Sequence, residues 1–342
     1  MIELIKWYYN LNEFTPYEKN ILKTGCSADV KHEYQYNLLV QDYFDRMPFC
    51  NIDPSTHWIS FEKDGTTFIN NIFEKEVDEK TLVISTVFEH NSVKENLKNH
   101  NTYLFKSTED IRNFDFSTLK TICKDYDKVF VYIIGTRIDT GEVIPQWFFN
   151  DLDNELNKLN IPHKIMLDDV HGMFLIPRDY SLFDYVLYTA HAIVKNYDMG
   201  LLISKNNNLV GQCAYNWGKD YLERLDILLN RYSKIEQFYD IMTQYFNKLL
   251  NDPHLELYEQ TVGHIFSIKT TNLYFSAKEL EDLSEKYMIE NSGNDSKENW
   301  LRWRFQEFIS LSEDEVVEGI RTLEKIINKA IMKAKMRESF ND

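Results

Sequence analysis

The sequence predicts an α/β protein built on a mostly parallel sheet, with a small α+β domain at its C-terminal end. Three observations carry that expectation. Short apolar, β-branched runs recur between Trp58 and about Val210: TLVIS (81–85), TYLF (102–105), KVFVYIIG (128–135), HKIML (163–167), DYVLYT (184–189) and MGLLIS (199–204). Amphipathic segments separate them, namely SVKENLKNH (92–100), IRNFDFSTLKTICKD (111–125) and IPQWFFNDLDNELNKLN (144–160). Strand runs alternating with helical runs are the signature of βαβ units and a parallel sheet. Hydrophobic residues make up 43% of the chain and aromatic ones 14%, enough for a large buried core and against disorder.

Taken in order, residues 1–57 are aromatic and mixed, and read as helices and an extended arm. Residues 58–218 hold the alternating pattern and form the large domain. The segment 219–252 carries apolar residues at helical spacing and reads as one or two linking helices. Residues 253–342 form the small domain, with strand-like runs LELY, HIFSIK and LYFS, a polar exposed loop at 290–299, the strand-like LRWRFQEF (301–308) and a closing helix. That helix begins at Ser312, with Glu315 three residues on as a capping box.

Charge and composition exclude several functions. A net charge of −16, with no basic stripe, disfavours nucleic acid or an anionic membrane surface as partner. Cys26, Cys50, Cys123 and Cys213 show no metal-ligand spacing and no disulfide framework. No apolar run approaches the ~20 residues of a membrane span, and MIELIKWYYN lacks a signal-peptide layout. A cytoplasmic protein without a metal is expected.

Several short motifs fall at strand ends. Asp64-Gly65-Thr66-Thr67 is a glycine turn with two hydroxyls before a helix-like run, the kind of N-terminus that binds anions. His90-Asn91-Ser92 follows the run 81–85, and Gly135-Thr136 closes the strongest strand. Asp168-Asp169-Val170-His171-Gly172 follows HKIML, with the two acids on opposite faces by strand alternation. Thr189-Ala190-His191-Ala192 closes the run 184–189, and Arg302 and Arg304 share one face of LRWRF. Read alone, each is an ordinary turn, cap or edge-strand motif; their order along the chain is the informative feature.

That order resembles the fold-type I pyridoxal phosphate enzymes, in particular the histidine- and tyrosine-type amino-acid decarboxylases, with similarity to class V aminotransferases and cysteine-desulfurase-like enzymes. The resemblance covers residues 60–210 well and 253–342 in outline. It implies an aspartate-aminotransferase-like fold and pyridoxal 5′-phosphate as cofactor. Gly65, Thr66 and Thr67 would bind the phosphate, His90 would stack on the ring, Asp168 would face the ring nitrogen and Val170 the opposite ring face. Thr136, His171, Thr189 and His191 would complete the cofactor site, and Arg302 or Arg304 would take the carboxylate of an amino-acid substrate, since a guanidinium fork matches that group. A homodimer is implied, with the aromatic N-terminal segment (Trp7, Tyr8, Tyr9, Phe14, Tyr17) as a candidate partner surface.

The sequence departs from the family at one place. Relatives carry a Ser-x-His-Lys motif whose lysine holds the cofactor as a Schiff base; here Ala192 stands at that position. Three readings stay open: an engineered Lys-to-Ala variant, a natural protein that binds the cofactor without a Schiff base, or another lysine, Lys195 or Lys205, in its place. Expected activity follows the resemblance: a decarboxylase acting on an α-amino acid, with a class V aminotransferase or C–S lyase, or a non-catalytic scaffold, as alternatives.

Overall fold

Alternating apolar runs become two sheets in the computed structural model, which describes residues 56–62, 64–172, 176, 178–189, 200–205, 252–257, 265–287, 289–291, 298–304 and 313–339. The large sheet comprises β1 (Trp58–Glu62), β2 (Thr81–Thr86), β3 (Asn101–Phe105), β4 (Lys128–Ile134), β5 (His163–Asp168), β6 (Tyr185–Thr189) and β7 (Gly200–Ser204), in the order β1-β7-β6-β5-β4-β2-β3. Strands β3, β2, β4, β5 and β6 are mutually parallel; β7 alone runs antiparallel to both its neighbours.

Alternation along these strands feeds two faces. Val131, Ile133, Ile165, Leu167, Val186 and Ile203 line one; Phe130, Tyr132, Met166, Tyr185, Leu187 and Leu202 line the other. Burial on both sides explains why the sequence reads as continuous apolar runs rather than polar–apolar alternation. Helix α1 (Gly65–Glu76) covers the second face with Phe68, Ile69, Ile72 and Phe73, joined by Val93 and Leu97 of α2 (Asn91–Leu97). On the first face lie α3 (Thr108–Arg112), α4 (Leu119–Ile122) and α5 (Gln146–Lys158), the last through Phe148, Phe149, Leu152 and Leu156. The segment 111–125, expected as one helical stretch, is divided by a 3-10 turn at Phe116–Thr118. A Ser107–Asp110 capping box starts α3, and Asp115 caps the 3-10 turn.

The small sheet is antiparallel, in the order β10 (Glu290–Asn291), β11 (Glu298–Arg304), β9 (Ile265–Thr271), β8 (Leu255–Leu257). Helices α6 (Ala277–Tyr287) and α7 (Glu313–Glu338) accompany it. Ile320, Leu323, Ile327, Ala330 and Ala334 are buried along α7 at helical spacing. Lys329 of α7 pairs with Glu279 of α6 at 2.6 Å.

Two expectations need correction here. LYFS (273–276) is not a strand: the Ser276 hydroxyl accepts from the Glu279 amide, while Glu279 accepts from the Ser276 amide at 2.8 Å. That reciprocal cap starts α6, which the sequence reading did not anticipate. The polar stretch 290–299 is not all loop, since it contributes β10 and the start of β11. Apart from Asp252, the expected linking helices (219–252) lie outside the described residues, as do the aromatic N-terminal segment (Trp7 to Tyr17) and Ser312.

Candidate functional site

Strand order places the site. From β2 the chain moves outward to β3, then returns to lay β4 on the other side of β2 and continues to β5 and β6. Ligands of open α/β sheets bind outside the carboxyl ends of the strands where the order reverses in this way. The residues at or just past the ends of β2, β4, β5 and β6 are therefore the ones with chemistry to offer: Glu89 and His90, Gly135 and Thr136, Asp168 and Asp169, and Thr189.

Asp168, at the end of β5, is buried and faces Tyr132 of β4. The Tyr132 hydroxyl donates to Asp168 Oδ2 at 2.7 Å, and the Val170 amide donates to Oδ1 at 3.2 Å. Burial raises its carboxyl pKa to about 6, offset in part by these two donors. Tyr132 stays protonated, because burial and the neighbouring Asp168 and Glu89 carboxyls push its pKa well above the usual value. Val170 is half-buried and packs on the α1 side of the sheet.

Asp169 turns the other way. Its carboxylate accepts a short hydrogen bond from the Tyr180 hydroxyl and lies 3.3 Å from Arg178 Nε. Arg178 also donates to the carbonyls of Gly135 (2.8 Å) and Ile144 (3.1 Å), so one buried guanidinium ties the ends of β4 and β5 together. Gly172 closes against this pair: a Cβ there would lie 2.1 Å from Asp169 Oδ1 and 3.1 Å from Thr136 Oγ1. Thr136 is buried, and its hydroxyl has no hydrogen-bond partner among the described residues. His171 is buried beside them.

The N-terminus of α1 meets the end of β6. A Cβ on Gly65 would come within 2.6 Å of Thr189 Cγ2, so only glycine lets the helix approach this closely. The Thr189 hydroxyl is buried without a partner among the described residues. Thr66 is exposed at the tip of the turn, whereas Thr67 is drawn into the cap, donating both its amide and its hydroxyl to Asp64 at 2.8 Å.

His90 caps α2. Its Nδ1 accepts from the Ser92 amide at 3.3 Å and lies 2.8 Å from the Ser92 hydroxyl, which leaves the ring proton on Nε2. The residue is exposed overall, yet desolvation of the ring and then the nearby Lys94 lower its pKa, so the imidazole is neutral near pH 7. Its neighbour Glu89 points inward and is tied to the sheet ends through one carboxylate oxygen. Glu89 Oε1 accepts from the Thr86 hydroxyl (2.6 Å) and the Ile134 amide (3.2 Å). Burial raises the Glu89 pKa to about 8, and the like charge of Asp168 adds to the rise.

Arg302 sits on β11, where its Nη1 donates to the Ile138 carbonyl at 2.8 Å. With the Ser267 hydroxyl on the Asp139 carbonyl (3.1 Å), it fastens the 136–143 turn of the large sheet to the small sheet. Arg304 pairs with Ile265 in the ladder. Lys205 is not a stand-in for the missing lysine. It follows β7, the reversed strand, so it lies at the opposite edge of the sheet, where its amine donates to the Leu182 carbonyl and its amide to Asp184. His191, Ala192 and Lys195 lie outside the described residues. Among the described residues no cluster of His, Cys, Asp or Glu is arranged to hold a metal, and no helix is long and apolar enough to cross a membrane.

Four participants escaped the sequence reading: Glu89, Tyr132, Arg178 and Tyr180. Tyr132 hid inside an apolar strand, and Arg178 followed a proline with no periodic pattern to mark it. Glu89, next to His90, stood at a strand end but gave no sign of being buried.

No family model matches the sequence, and no curated protein matches it. Solved structures do match. A NifS-like protein from Rickettsia africae ESF-5 superposes with a TM-score of 0.64 at 15% identity, over 92% of this chain and 96% of that one. A PLP-dependent aminotransferase from Streptococcus suis 89-1591 gives 0.64 at 12%, over 96% and 91%. The fold is fold type I. A lysine-to-alanine mutant of C-DES, with glycine covalently linked to its PLP cofactor, gives 0.62 at 15%, over 94% and 91%. At these identities the likeness is one of fold, and the fold-type I architecture explains why the candidate residues collect at one edge of the large sheet.

Proposed function

We propose that this chain binds pyridoxal 5′-phosphate, or the corresponding amine, at the C-terminal edge of the large sheet and acts on an α-amino acid. The observation that carries the reading is Asp168: a buried carboxylate at the switch of strand order, oriented by Tyr132 and the Val170 amide, suits the protonated nitrogen of a pyridine ring. The orphaned Thr189 hydroxyl beside Gly65, the exposed Thr66 hydroxyl and the first amides of α1 suit a phosphate, so the residues present fit the group. When bound, the cofactor supplies an electron sink for bonds at the amino-acid Cα.

The chain's own residues do the rest. Asp168 would hold the proton on the ring nitrogen, His90 and Val170 would flank the ring, and Thr136 would lie toward its edge. Arg302, anchored on the Ile138 carbonyl at the junction of the two sheets, would turn its guanidinium to a substrate carboxylate by giving up that contact. Ala192 offers no amine, so this chain holds its ligand without a covalent bond at that position. Fold-level neighbours include NifS-like proteins and C-DES. They favour a class V aminotransferase or C–S lyase over the decarboxylase that the sequence suggested. A homodimer in the cytoplasm, with the domain limits given above, belongs to the same proposal. Ala192 itself favours a second reading, a non-catalytic binding or scaffold subunit.

Titration of the protein with pyridoxal phosphate, followed by tryptophan fluorescence and calorimetry, tests the binding. The Ala192→Lys variant tests the chemistry: a new near-visible absorbance band with the cofactor, shifted by one or more amino acids, is expected. No binding to either protein refutes the reading; binding and a band without response to any amino acid leaves the scaffold.

A further inference from the structure

A buried carboxyl group close to a ring nitrogen that docks in its protonated form belongs to a linked proton system, and Glu89 has the geometry for it. It projects from the end of β2 into the seam between β2 and β4, with only 2% of its surface exposed. One oxygen is fixed by the Thr86 hydroxyl and the Ile134 amide; the other, Oε2, is buried with no hydrogen-bond partner among the described residues. Ile134 is the register partner of Asp168 on β5, while Glu89 reaches the Ile134 amide from the turn after β2, the strand on the other side of β4. An oxygen fixed by two donors keeps the group in place, and a buried oxygen that no donor reaches leaves a negative charge there unstabilised, which favours the protonated acid.

The charged and titratable groups around it are few. Asp168 from β5 and the Tyr132 phenol from β4 face it, and Lys94 lies along α2. His90 is its chain neighbour, and beyond Phe88 lies Arg137, whose charge is matched by Asp139 and Glu142. Among the described residues, Asp168 is thus the carboxyl whose charge acts on Glu89, and Lys94 the cation that acts on it.

We infer that Glu89 is the proton store of this site: it holds a proton while the site is free of ligand and releases it when a protonated heteroaromatic ring docks against Asp168. The inference rests on the ligand class proposed above. The balance is simple. A cation placed beside Asp168 lowers the cost of a second negative charge at Glu89, the O–H bond of Glu89 breaks, and its proton leaves to solvent; no electrons are exchanged. Raised to about 8 in the free protein, the Glu89 carboxyl is mostly protonated at neutral pH and has a proton to give. Glu89 is a positioning residue here, acting on the ring through the charge of Asp168.

The experiment is calorimetry of pyridoxal phosphate binding in buffers of different ionisation enthalpy, with wild type and Glu89→Gln compared at pH 7.0–7.5 as an approximate window. Wild type is expected to release between about half a proton and one proton more than the variant. The slope of log affinity against pH should differ between them by the same amount. Infrared difference spectra of the wild type alone guard against misfolding of the variant: a protonated-carboxyl band should disappear on adding the ligand. Equal proton counts in the two proteins, or a carboxyl band that persists in the bound wild type, overturn the inference while leaving the ligand reading intact. No binding heat with either protein overturns both.

Discussion

Removing Arg178 from its buried pair with Asp169 should destabilise the fold by about 3–5 kcal/mol, because the carboxylate left behind is an uncompensated buried charge. Arg178→Met removes the guanidinium while filling much of its volume. Three acceptors then lose a donor or a counter-charge: the Gly135 carbonyl at 2.8 Å, the Ile144 carbonyl at 3.1 Å, and the Asp169 carboxylate 3.3 Å away. Each orphaned buried carbonyl costs about 1 kcal/mol or more, and the carboxylate, 0% exposed and still bonded only to Tyr180, costs more. Asp169→Asn alone leaves the guanidinium with its two carbonyls and should cost about 2–3 kcal/mol. The double variant should lose less than the sum of the two, with a coupling of about 1–3 kcal/mol. Urea unfolding followed by circular dichroism measures all four proteins.

The pH dependence supplies an independent check. In Arg178→Met the lone Asp169 carboxyl is raised further by burial without its cation. A carboxyl whose folded pKa exceeds its unfolded one stabilises most below the unfolded pKa, and that stability is lost as pH rises through the folded pKa. The variant should therefore regain stability relative to wild type as the pH falls. A loss under about 1 kcal/mol, additivity in the double variant, or a deficit independent of pH would refute the idea that this pair is a mutually dependent buried unit.

Other consequences follow from the same geometry. Glu89→Gln keeps both acceptor contacts of Oε1 but cannot ionise. Wild-type stability should fall relative to it, by up to ~1.4 kcal/mol per pH unit, as pH rises from the unfolded value near 4.5 through about 8; thermal melts across that range test it. Tyr132→Phe deletes the donor on Asp168 Oδ2, so the Asp168 carboxyl should titrate above its present value of about 6, as carboxyl carbon shifts in NMR would record. Gly65→Ala forces a Cβ toward Thr189 Cγ2 and should weaken pyridoxal phosphate binding at least tenfold, about 1.4 kcal/mol, with the fold retained by circular dichroism. Phe73→Ala empties the space between Phe130 and Tyr132 and should cost about 3–5 kcal/mol in urea unfolding.

The sequence by itself determined β2 to β7 of the large sheet and most of the helices between them, though not β1, because residues buried on both faces must be apolar along their whole length, and that run is legible without any partner. It also marked the strand ends that carry His90, Gly135, Asp168 and Thr189, since polar residues at the close of an apolar run stand out against it. It could not show that Asp168 and Asp169 serve different tasks, one set by Tyr132 and the other by Arg178, because those partners are 36 and 9 residues distant and meet them only when β4 and β5 pair and the following loop folds back. Glu89 illustrates the same limit: a glutamate before a histidine reads as a solvated residue, and only the approach of β4, which brings the Ile134 amide to its carboxyl, makes it a buried acid. Lys205 was a plausible amine on sequence position alone until the reversal of β7 carried it to the far edge of the sheet. Local periodicity writes the elements into the chain; the strand order, a property of long-range pairing, decides which side chains share a site.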